Sequence, residues 1–308
     1  MKKRIQNRIA ESRYALPVVS VAAIFVCVAA GLFAMQLWAQ FGVLALSTYM
    51  MMLMNNQHAL IRIYSRMVSC AFLVLFLTAL FLFPHLDSGV MALGYAIFYT
   101  LLFHSYQDKN AAGFVFYAFL CLGVVSMVWM RVLWLVPVFW ILLASKMLAF
   151  SMRTFTASLL GLVFPYWLVG CYMIYTHSLS YSFSSFSSFV ELTPVADFSS
   201  LPIMAVVVVV WVLLLGILGM CHYLHTSYND KISTRMVYEF LVIMQVLLSL
   251  FVFLQPQNYA EILPLLLVNT SPLIAHFLAL SHGKLSNIMF IIIVIASVAI
   301  IIGNFVIC

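Results

Sequence analysis

Residues 1–35 read MKKRIQNRIAESRYALPVVSVAAIFVCVAAGLFAM, a basic head followed by an apolar run from Ala15 to Met35. As an α-helix, a run of about 20 apolar residues crosses a hydrocarbon core of roughly 30 Å. The run is longer than the apolar region of a typical secretory signal, and further apolar runs follow it. We therefore expect a first membrane-spanning helix that is not cleaved.

The rest of the chain continues this pattern. Its 308 residues are 66% hydrophobic and 7% charged, whereas soluble domains carry roughly 25% charged residues. The polar side chains are too few to cover a water-facing globule, and the apolar runs lack the alternation of barrel strands. The composition predicts an all-α, polytopic transmembrane helical bundle, with residues 1–308 forming a single integral membrane domain.

The apolar runs predict about eleven membrane spans, and two tight turns leave that number open. If the helices flanking Gln36–Gln40 or Met130–Arg131 are each one broken helix, the range becomes 9–11. The spans are predicted at about residues 15–35, 37–54, 67–83, 89–105, 111–129, 132–150, 157–175, 202–220, 237–254, 261–280 and 288–307.

Basic residues predict the orientation, because cytoplasmic loops are enriched in Lys and Arg. With the N-terminus in the cytoplasm and the C-terminus outside, only Arg131 of the 14 Lys and Arg residues falls on the outer side. The residues assigned to the inner side are Lys2, Lys3, Arg4, Arg8, Arg13, Arg62, Arg66, Lys109, Lys146, Arg153, Lys231, Arg235 and Lys284.

The longest predicted outer loop covers residues 176–201 and has an unusual composition. Phe183, Phe186 and Phe189 recur every three residues with serines between them. At helical spacing this pattern gives one aromatic face and one hydroxyl face, which suits a short helix lying in the membrane interface. A serine-rich connector without that role is the alternative.

Arg131 is the first candidate ligand-binding residue. A charge at mid-helix costs roughly 2–3 kcal/mol on membrane insertion, and less near a helix end. Its planar guanidinium suits the phosphate of a lipid or of a diphosphate-linked lipid. Glu191 and Asp197, in the outer loop, are candidates for a general base or a cation site. Alternatively, Arg131 reaches the headgroups or pairs with one of these acids, and the acids are solvated loop residues.

A second candidate site lies in the tenth predicted span. Pro264 and Pro272 bracket Asn269, Thr270 and Ser271, which predicts a polar break in an apolar helix. Broken helices of this kind often line substrate sites in transporters. The same three residues could equally be polar contacts between packed helices.

Metal and nucleic-acid binding are poorly supported. Cys221, His222, His225 and Asp230 resemble a metal site, but two histidines without a second clear pair are not specific. We predict no metal and no cofactor. The six cysteines lack a short Cys-x-x-Cys spacing, and the net charge of +6 comes from basic residues that membrane topology explains. No nucleic-acid partner is expected.

Residues Phe150–Trp167 read FSMRTFTASLLGLVFPYW, and Phe103–Gln107 reads FHSYQ, with Ser126 and Pro137 downstream. Together these stretches resemble an uncharacterised family of polytopic inner-membrane proteins from Bacteroidota, which is defined only as a domain of unknown function. The resemblance covers about residues 50–175. It implies a multi-helix protein of the bacterial inner membrane and cell envelope, and it implies no catalytic residue.

Three functions remain open from the sequence. The first is a multi-pass cell-envelope component without catalysis of its own, favoured by the sparse charge and by the lack of P-loop, Rossmann and metalloprotease motifs. The second is a transporter or flippase for a small solute or a lipid-linked intermediate. The third, and the least expected, is an outer-face lipid-glycan transferase, which would be an enzyme. The predicted partners are membrane lipids, with a lipid-linked intermediate or other membrane proteins as further candidates.

Overall fold

A computed structural model describes residues 4–176 and 201–307, and the backbone of these residues forms helices and connecting turns, with no strand among them. The all-helical prediction is confirmed. The α-helices are α1 (Ile5–Ala10), α2 (Ala15–Ala29), α3 (Trp38–His58), α4 (Met67–Thr78), α5 (Leu86–His104), α6 (Ala112–Val128), α7 (Val136–Ser145), α8 (Met152–Tyr175), α9 (Ile203–Thr226), α10 (Ile232–Leu254), α11 (Tyr259–Leu280) and α12 (Lys284–Ile307).

Each of the eleven predicted segments contains an α-helix, but the helices differ in their ability to cross a membrane. Six are long and apolar enough: Leu86–His104, Met152–Tyr175, Ile203–Asn229, Ile232–Leu254, Pro256–Leu280 and Lys284–Val306. Four are shorter apolar helices: Ala15–Ala29, Met67–Thr78, Ala112–Val128 and Met130–Ser145. Helix α3 belongs to neither group, and its last residues are the polar Asn55–His58. The protein is therefore membrane-embedded, and the count of eleven stays a prediction.

Both doubtful turns interrupt the helical backbone. Gly31 and Gln36, between α2 and α3, have φ of 93° and 53°, and a left-handed residue does not continue a right-handed helix. At the second turn, α6 ends at the extended residue Trp129, and a 3-10 helix, Met130–Leu135, precedes α7. Each pair is thus two separate helices.

The contacts group the chain into two compact units, and the boundary between them lies within α5. Unit 1 comprises residues 1–93 and 196–308, and unit 2 comprises residues 94–195. In unit 1, α11 is the central helix, since every residue from Ile262 to Leu280 is buried. It packs against α4, α9 and α10.

Unit 1 depends on one close approach between helix backbones. A Cβ atom added to Gly219 on α9 would lie 2.5 Å from the carbonyl carbon of Leu273 and 2.8 Å from the nitrogen of Ile274, both on α11. No real Cβ contact is that short, so α9 can reach α11 only with glycine at this position. The buried polar side chains described below lie on both sides of this contact on α11, with Asn269–Ser271 before it and His276 after it.

Unit 2 is built around the pair α6 and α8. Gly161 on α8 lies directly against the backbone of Phe116 and Leu120 on α6, so the two helices approach each other closely at this residue. Helix α8 begins with a capping box in which the Ser151 and Thr154 side chains satisfy each other's backbone N–H groups. Helix α8 therefore has a fixed start and a fixed contact with α6.

Candidate functional site

The structure places Arg131 in unit 2, on the 3-10 helix that precedes α7, with 8% of its surface exposed. Arg131 is the one basic residue that the sequence predicted on the outer side of the membrane. Glu191 and Asp197, its predicted partners, lie outside the described residues, as does the interfacial helix predicted for the loop around them. Lipid binding at Arg131 and pairing with these acids stay predictions.

Asn269, Thr270 and Ser271 lie together on α11 and are fully buried. The Asn269 side-chain amide donates to Gln245 Oε1 at 2.8 Å and to the Leu241 carbonyl at 3.0 Å. The Thr270 hydroxyl donates to the same Gln245 oxygen at 3.1 Å, and Ser271 donates to the Leu267 carbonyl at 2.5 Å. The three side chains are thus bonded within the protein.

The polar break predicted in this span is wrong, because α11 runs without interruption from Tyr259 to Leu280, with both prolines inside it. Asn269 and Thr270 bond to Gln245 on α10, and Ser271 bonds within α11, so these polar residues need no water-lined gap. The Gln245 Nε2 atom is buried without a hydrogen-bond partner among the described residues, and it faces Gly216 on α9.

A second buried cluster was not predicted as a site. His276 on α11 is fully buried, and its Nε2 lies 2.9 Å from Asp230 Oδ2. Its other ring nitrogen, Nδ1, lies 3.2 Å from His222 Nδ1 on α9. We refer to Asp230, His276 and His222 as the histidine–aspartate chain. It joins α9, the turn before α10, and α11.

The histidine–aspartate chain is buried at its Asp230 end and more exposed at its His222 end. The Asp230 side chain is 2% exposed, and its second oxygen, Oδ1, has no hydrogen-bond partner among the described residues. Arg62, in the segment after α3, approaches that oxygen at 3.8 Å with its side chain 38% exposed. At the opposite end, His222 is half-buried. A proton can therefore reach His222 more readily than His276.

Aromatic rings hold His276 in place. Tyr223 on α9 and Tyr238 on α10 are stacked with ring centroids 5.0 Å apart, and the Tyr238 ring lies 4.9 Å from the His276 ring. The Tyr238 hydroxyl donates to the Pro272 carbonyl at 3.3 Å, and the Tyr223 hydroxyl donates to the Arg235 carbonyl at 3.0 Å. Both hydroxyls bond to backbone, which leaves the imidazole nitrogens to the chain.

The geometry assigns a role to each nitrogen of His276. With Asp230 ionised, the carboxylate accepts a hydrogen bond from Nε2–H, so in the neutral ring Nδ1 carries the lone pair and accepts from His222 Nδ1–H. This arrangement connects three ionisable groups in a line. The charged or titratable neighbours of the chain are Arg62, His225, Arg235 and Glu239.

The sequence had singled out part of this cluster for another reason. His222 and Asp230 join His276, but Cys221 and His225 are exposed on other faces of α9. Within residues 4–176 and 201–307, no group of three or more His, Cys, Asp or Glu side chains is arranged to hold a metal ion. The sequence contained one indication of this cluster. The predicted orientation puts Arg62, His222, Asp230 and His276 at the same side of the membrane.

In comparisons with known proteins, no protein-family model, curated protein or solved structure matches the chain. The candidate site is therefore defined by its own contacts: an aspartate–histidine–histidine line inside a membrane-embedded helical unit, and a sealed amide cluster on the same central helix.

Proposed function

We propose that this protein is a proton-coupled transport protein of the bacterial inner membrane, with its N-terminus in the cytoplasm. The observation that carries the proposal is the buried histidine–aspartate chain. Ionisable groups inside membrane proteins are costly to bury, and they typically mark ion or proton pathways. The resemblance to inner-membrane proteins supports the location, and the distribution of Lys and Arg supports the orientation.

The chain can take up and relay one proton with all atoms accounted for. A proton binds His222 Nε2, and His222 then passes its Nδ1 proton to His276 Nδ1. His276 becomes a cation beside the Asp230 carboxylate, and the bond between the two histidines reverses its direction. Transfer of the Nε2 proton to Asp230 completes the relay.

Proton uptake would act on helix packing, because the three residues come from different elements. A cationic His276 strengthens its contact with Asp230 and draws the turn before α10 towards α11. A neutral His276 loosens that contact. Two arrangements of α9, α10 and α11 that differ in proton occupancy are the minimum required to couple a proton to transport.

A proton-dependent change in α11 tests the proposal. We expect peptides of α11 to exchange backbone hydrogen for deuterium at different rates at about pH 4 and about pH 8, after correction for intrinsic exchange, since the protonated and neutral forms of histidine bond differently. His276→Gln should abolish the difference. His85→Gln is the matched control, because His85 is an exposed histidine outside the histidine–aspartate chain and its charged neighbours.

Proteoliposomes with an entrapped pH-sensitive dye give the second readout. An imposed pH gradient should drive proton entry with the wild type and with His85→Gln, and entry should be lost with His276→Gln. Exchange rates in α11 that do not depend on pH, or proton entry that survives His276→Gln, would overturn the proposal.

A non-catalytic cell-envelope component is the second candidate, and one observation favours it. Asn269, Thr270 and Ser271, the residues expected to line a transport path, are fully buried. Asn269 and Thr270 bond to Gln245 on α10, and Ser271 bonds within α11. In a structural protein, the histidine–aspartate chain would simply lock α9, α10 and α11 together. That function predicts a loss of stability in His276→Gln without a proton-dependent change in the wild type.

A further inference from the structure

Unit 1 contains a long apolar cavity that the proposed proton chemistry does not use. Its volume is about 920 Å³, near the upper end of the roughly 300–1,000 Å³ typical of ligand pockets. Its walls come from α1, α2, α4, α11 and α12, with one residue from α9. Almost all lining side chains are aliphatic or aromatic, so an aqueous solute is a poor match.

The cavity is long enough to hold a lipid acyl chain. On α12 the lining residues run from Phe290 to Phe305, a distance of roughly 22 Å at the helical rise per residue. One acyl chain of a bilayer leaflet occupies about half of the roughly 30 Å hydrocarbon core. Val18 and Ala22, which line the cavity on α2, are exposed, so a chain can enter from that side.

One end of the cavity carries a positive charge. Arg8 on α1 is the only charged residue among the lining residues, and Ser12 lies close to it in the chain. This end is held in place by Gln6, whose amide is buried and donates to the Leu278 carbonyl and to Ser281 Oγ, both at 2.8 Å. The position suits a phosphate headgroup, which arginine binds through paired N–H donors.

A second polar group lies deeper in the cavity. Ser297 on α12 lines it, is 1% exposed, and has a hydroxyl without a hydrogen-bond partner among the described residues. It lies seven residues beyond Phe290, or roughly 10 Å along the helix axis. A buried hydroxyl without a partner is unfavourable, and the carbonyl of a bound lipid would accept a hydrogen bond from it.

The geometry points to a binding site for an anionic glycerophospholipid, with its phosphate at Arg8, an ester carbonyl at Ser297, and an acyl chain along α2 and α12. The headgroup must be anionic because the cavity offers one cation and no acid. The chain must be ester-linked because an ether-linked chain brings no carbonyl to Ser297. This inference does not rest on the proposed proton function.

Native mass spectrometry of the detergent-solubilised full chain, titrated with defined lipids, tests the headgroup. Phosphatidylglycerol should bind more tightly than phosphatidylcholine with the same chains. Arg8→Gln should weaken phosphatidylglycerol binding about tenfold, since a charge-assisted bond is lost. Arg13→Gln removes the same charge from the same segment outside the cavity, and it should leave binding unchanged. Equal effects of the two variants would reduce the site to general surface attraction and overturn the inference.

Ether-linked phosphatidylglycerol tests the inner contact. It should bind more weakly than the ester lipid in the wild type, and Ser297→Ala should remove that difference. For the chain, Ala22→Trp should reduce binding of every lipid, whereas Val21→Trp, on an adjacent exposed residue outside the lining, should not. Binding of ester and ether lipids that is equal in the wild type, or unaffected by Ala22→Trp, would overturn the assignment. None of these readouts depends on proton transfer by His276.

Discussion

The two units bury their polar side chains in different ways. In unit 2 two side-chain hydrogen bonds join neutral groups: the Tyr95 and Tyr99 hydroxyls are 2.7 Å apart, and Trp140 donates to Ser158 at 3.0 Å. Unit 2 also holds the buried cation Arg131. In unit 1 a buried carboxylate, a buried imidazole and a half-buried imidazole lie in one line. Neutral pairs fix how helices pack, whereas ionisable groups add a state that depends on protons. On the proposed function, unit 1 is the part of the molecule that responds to protons.

The surroundings of these groups differ in the same way. Tyr95 and Tyr99 lie in an aromatic cluster, in which the rings of Phe98 and Phe139 are 4.7 Å apart. Such a cluster stabilises by apolar burial and by edge contacts between rings. In unit 1, rings instead surround an ionisable residue, His276. Substitutions in the two units should therefore separate effects on stability from effects on proton response.

The largest expected effect is common to both units. Gly219→Val and Gly161→Val each force a side chain into the backbone of a neighbouring helix, and each should lower the free energy of unfolding by about 4 kcal/mol or more. Thermal unfolding in detergent measures this. Gly170→Val is the control on α8, because a Cβ there meets nothing within 4 Å. Near-wild-type stability of Gly219→Val would contradict the close approach of α9 to α11.

The next effect separates the units. Asp230→Ala removes one partner of a buried pair and should cost about 3–5 kcal/mol, because His276 loses its acceptor. Asp230→Asn keeps the shape and an acceptor oxygen, so its cost should be smaller. The pH dependence of α11 exchange should be lost in both variants. If Asp230→Asn kept that dependence, the carboxylate would not be part of the proton response.

A moderate effect is expected at the sealed amide cluster. Gln245→Met preserves volume but takes the acceptor from Asn269 and Thr270, and it should cost about 1–3 kcal/mol. The same substitution also removes the buried Gln245 Nε2 group, which has no hydrogen-bond partner among the described residues. This gain offsets part of the lost stability. Chemical unfolding in detergent measures the change, with Val246→Met as control, since Val246 is the exposed neighbour on α10. A more stable Gln245→Met variant would show that the unmatched amide outweighs the cluster.

The smallest effects compare single hydroxyls. Tyr95→Phe in unit 2 loses a bond of 2.7 Å and should cost about 1 kcal/mol. Tyr238→Phe in unit 1 loses a longer bond of 3.3 Å to the Pro272 carbonyl, and its cost in stability should be lower. Only Tyr238→Phe should alter the pH dependence of α11 exchange, since its ring contacts His276. A change of that dependence in Tyr95→Phe would contradict the separation of the two units.

Much of the fold could be predicted from local sequence. The apolar runs located a helix in every predicted segment. The predicted break at Asn269–Ser271 was wrong because it treated polar residues and prolines as a local feature. Gln245, which lies on another helix, supplies the acceptor that keeps this segment buried and continuous.

The site was harder to predict for a related reason. His222 and Asp230 were noticed in the sequence as parts of a possible metal site, and that set did not include His276. Their meeting depends on the rotation of α9 and α11 about their axes, which side-chain packing sets. Hydropathy does not report that rotation, and a lone histidine in an apolar run gives no indication of its partner.

By itself, the sequence determined that this is a membrane-embedded helical protein, because apolar length and scarce charge decide that outcome segment by segment. The tertiary structure alone decided which polar groups meet: Asp230 with His276, Gln245 with Asn269, and Arg8 and Ser297 along one cavity. The physical reason is that burial in a membrane is a property of each helix, whereas a hydrogen bond or a cavity is a property of several helices in a particular register.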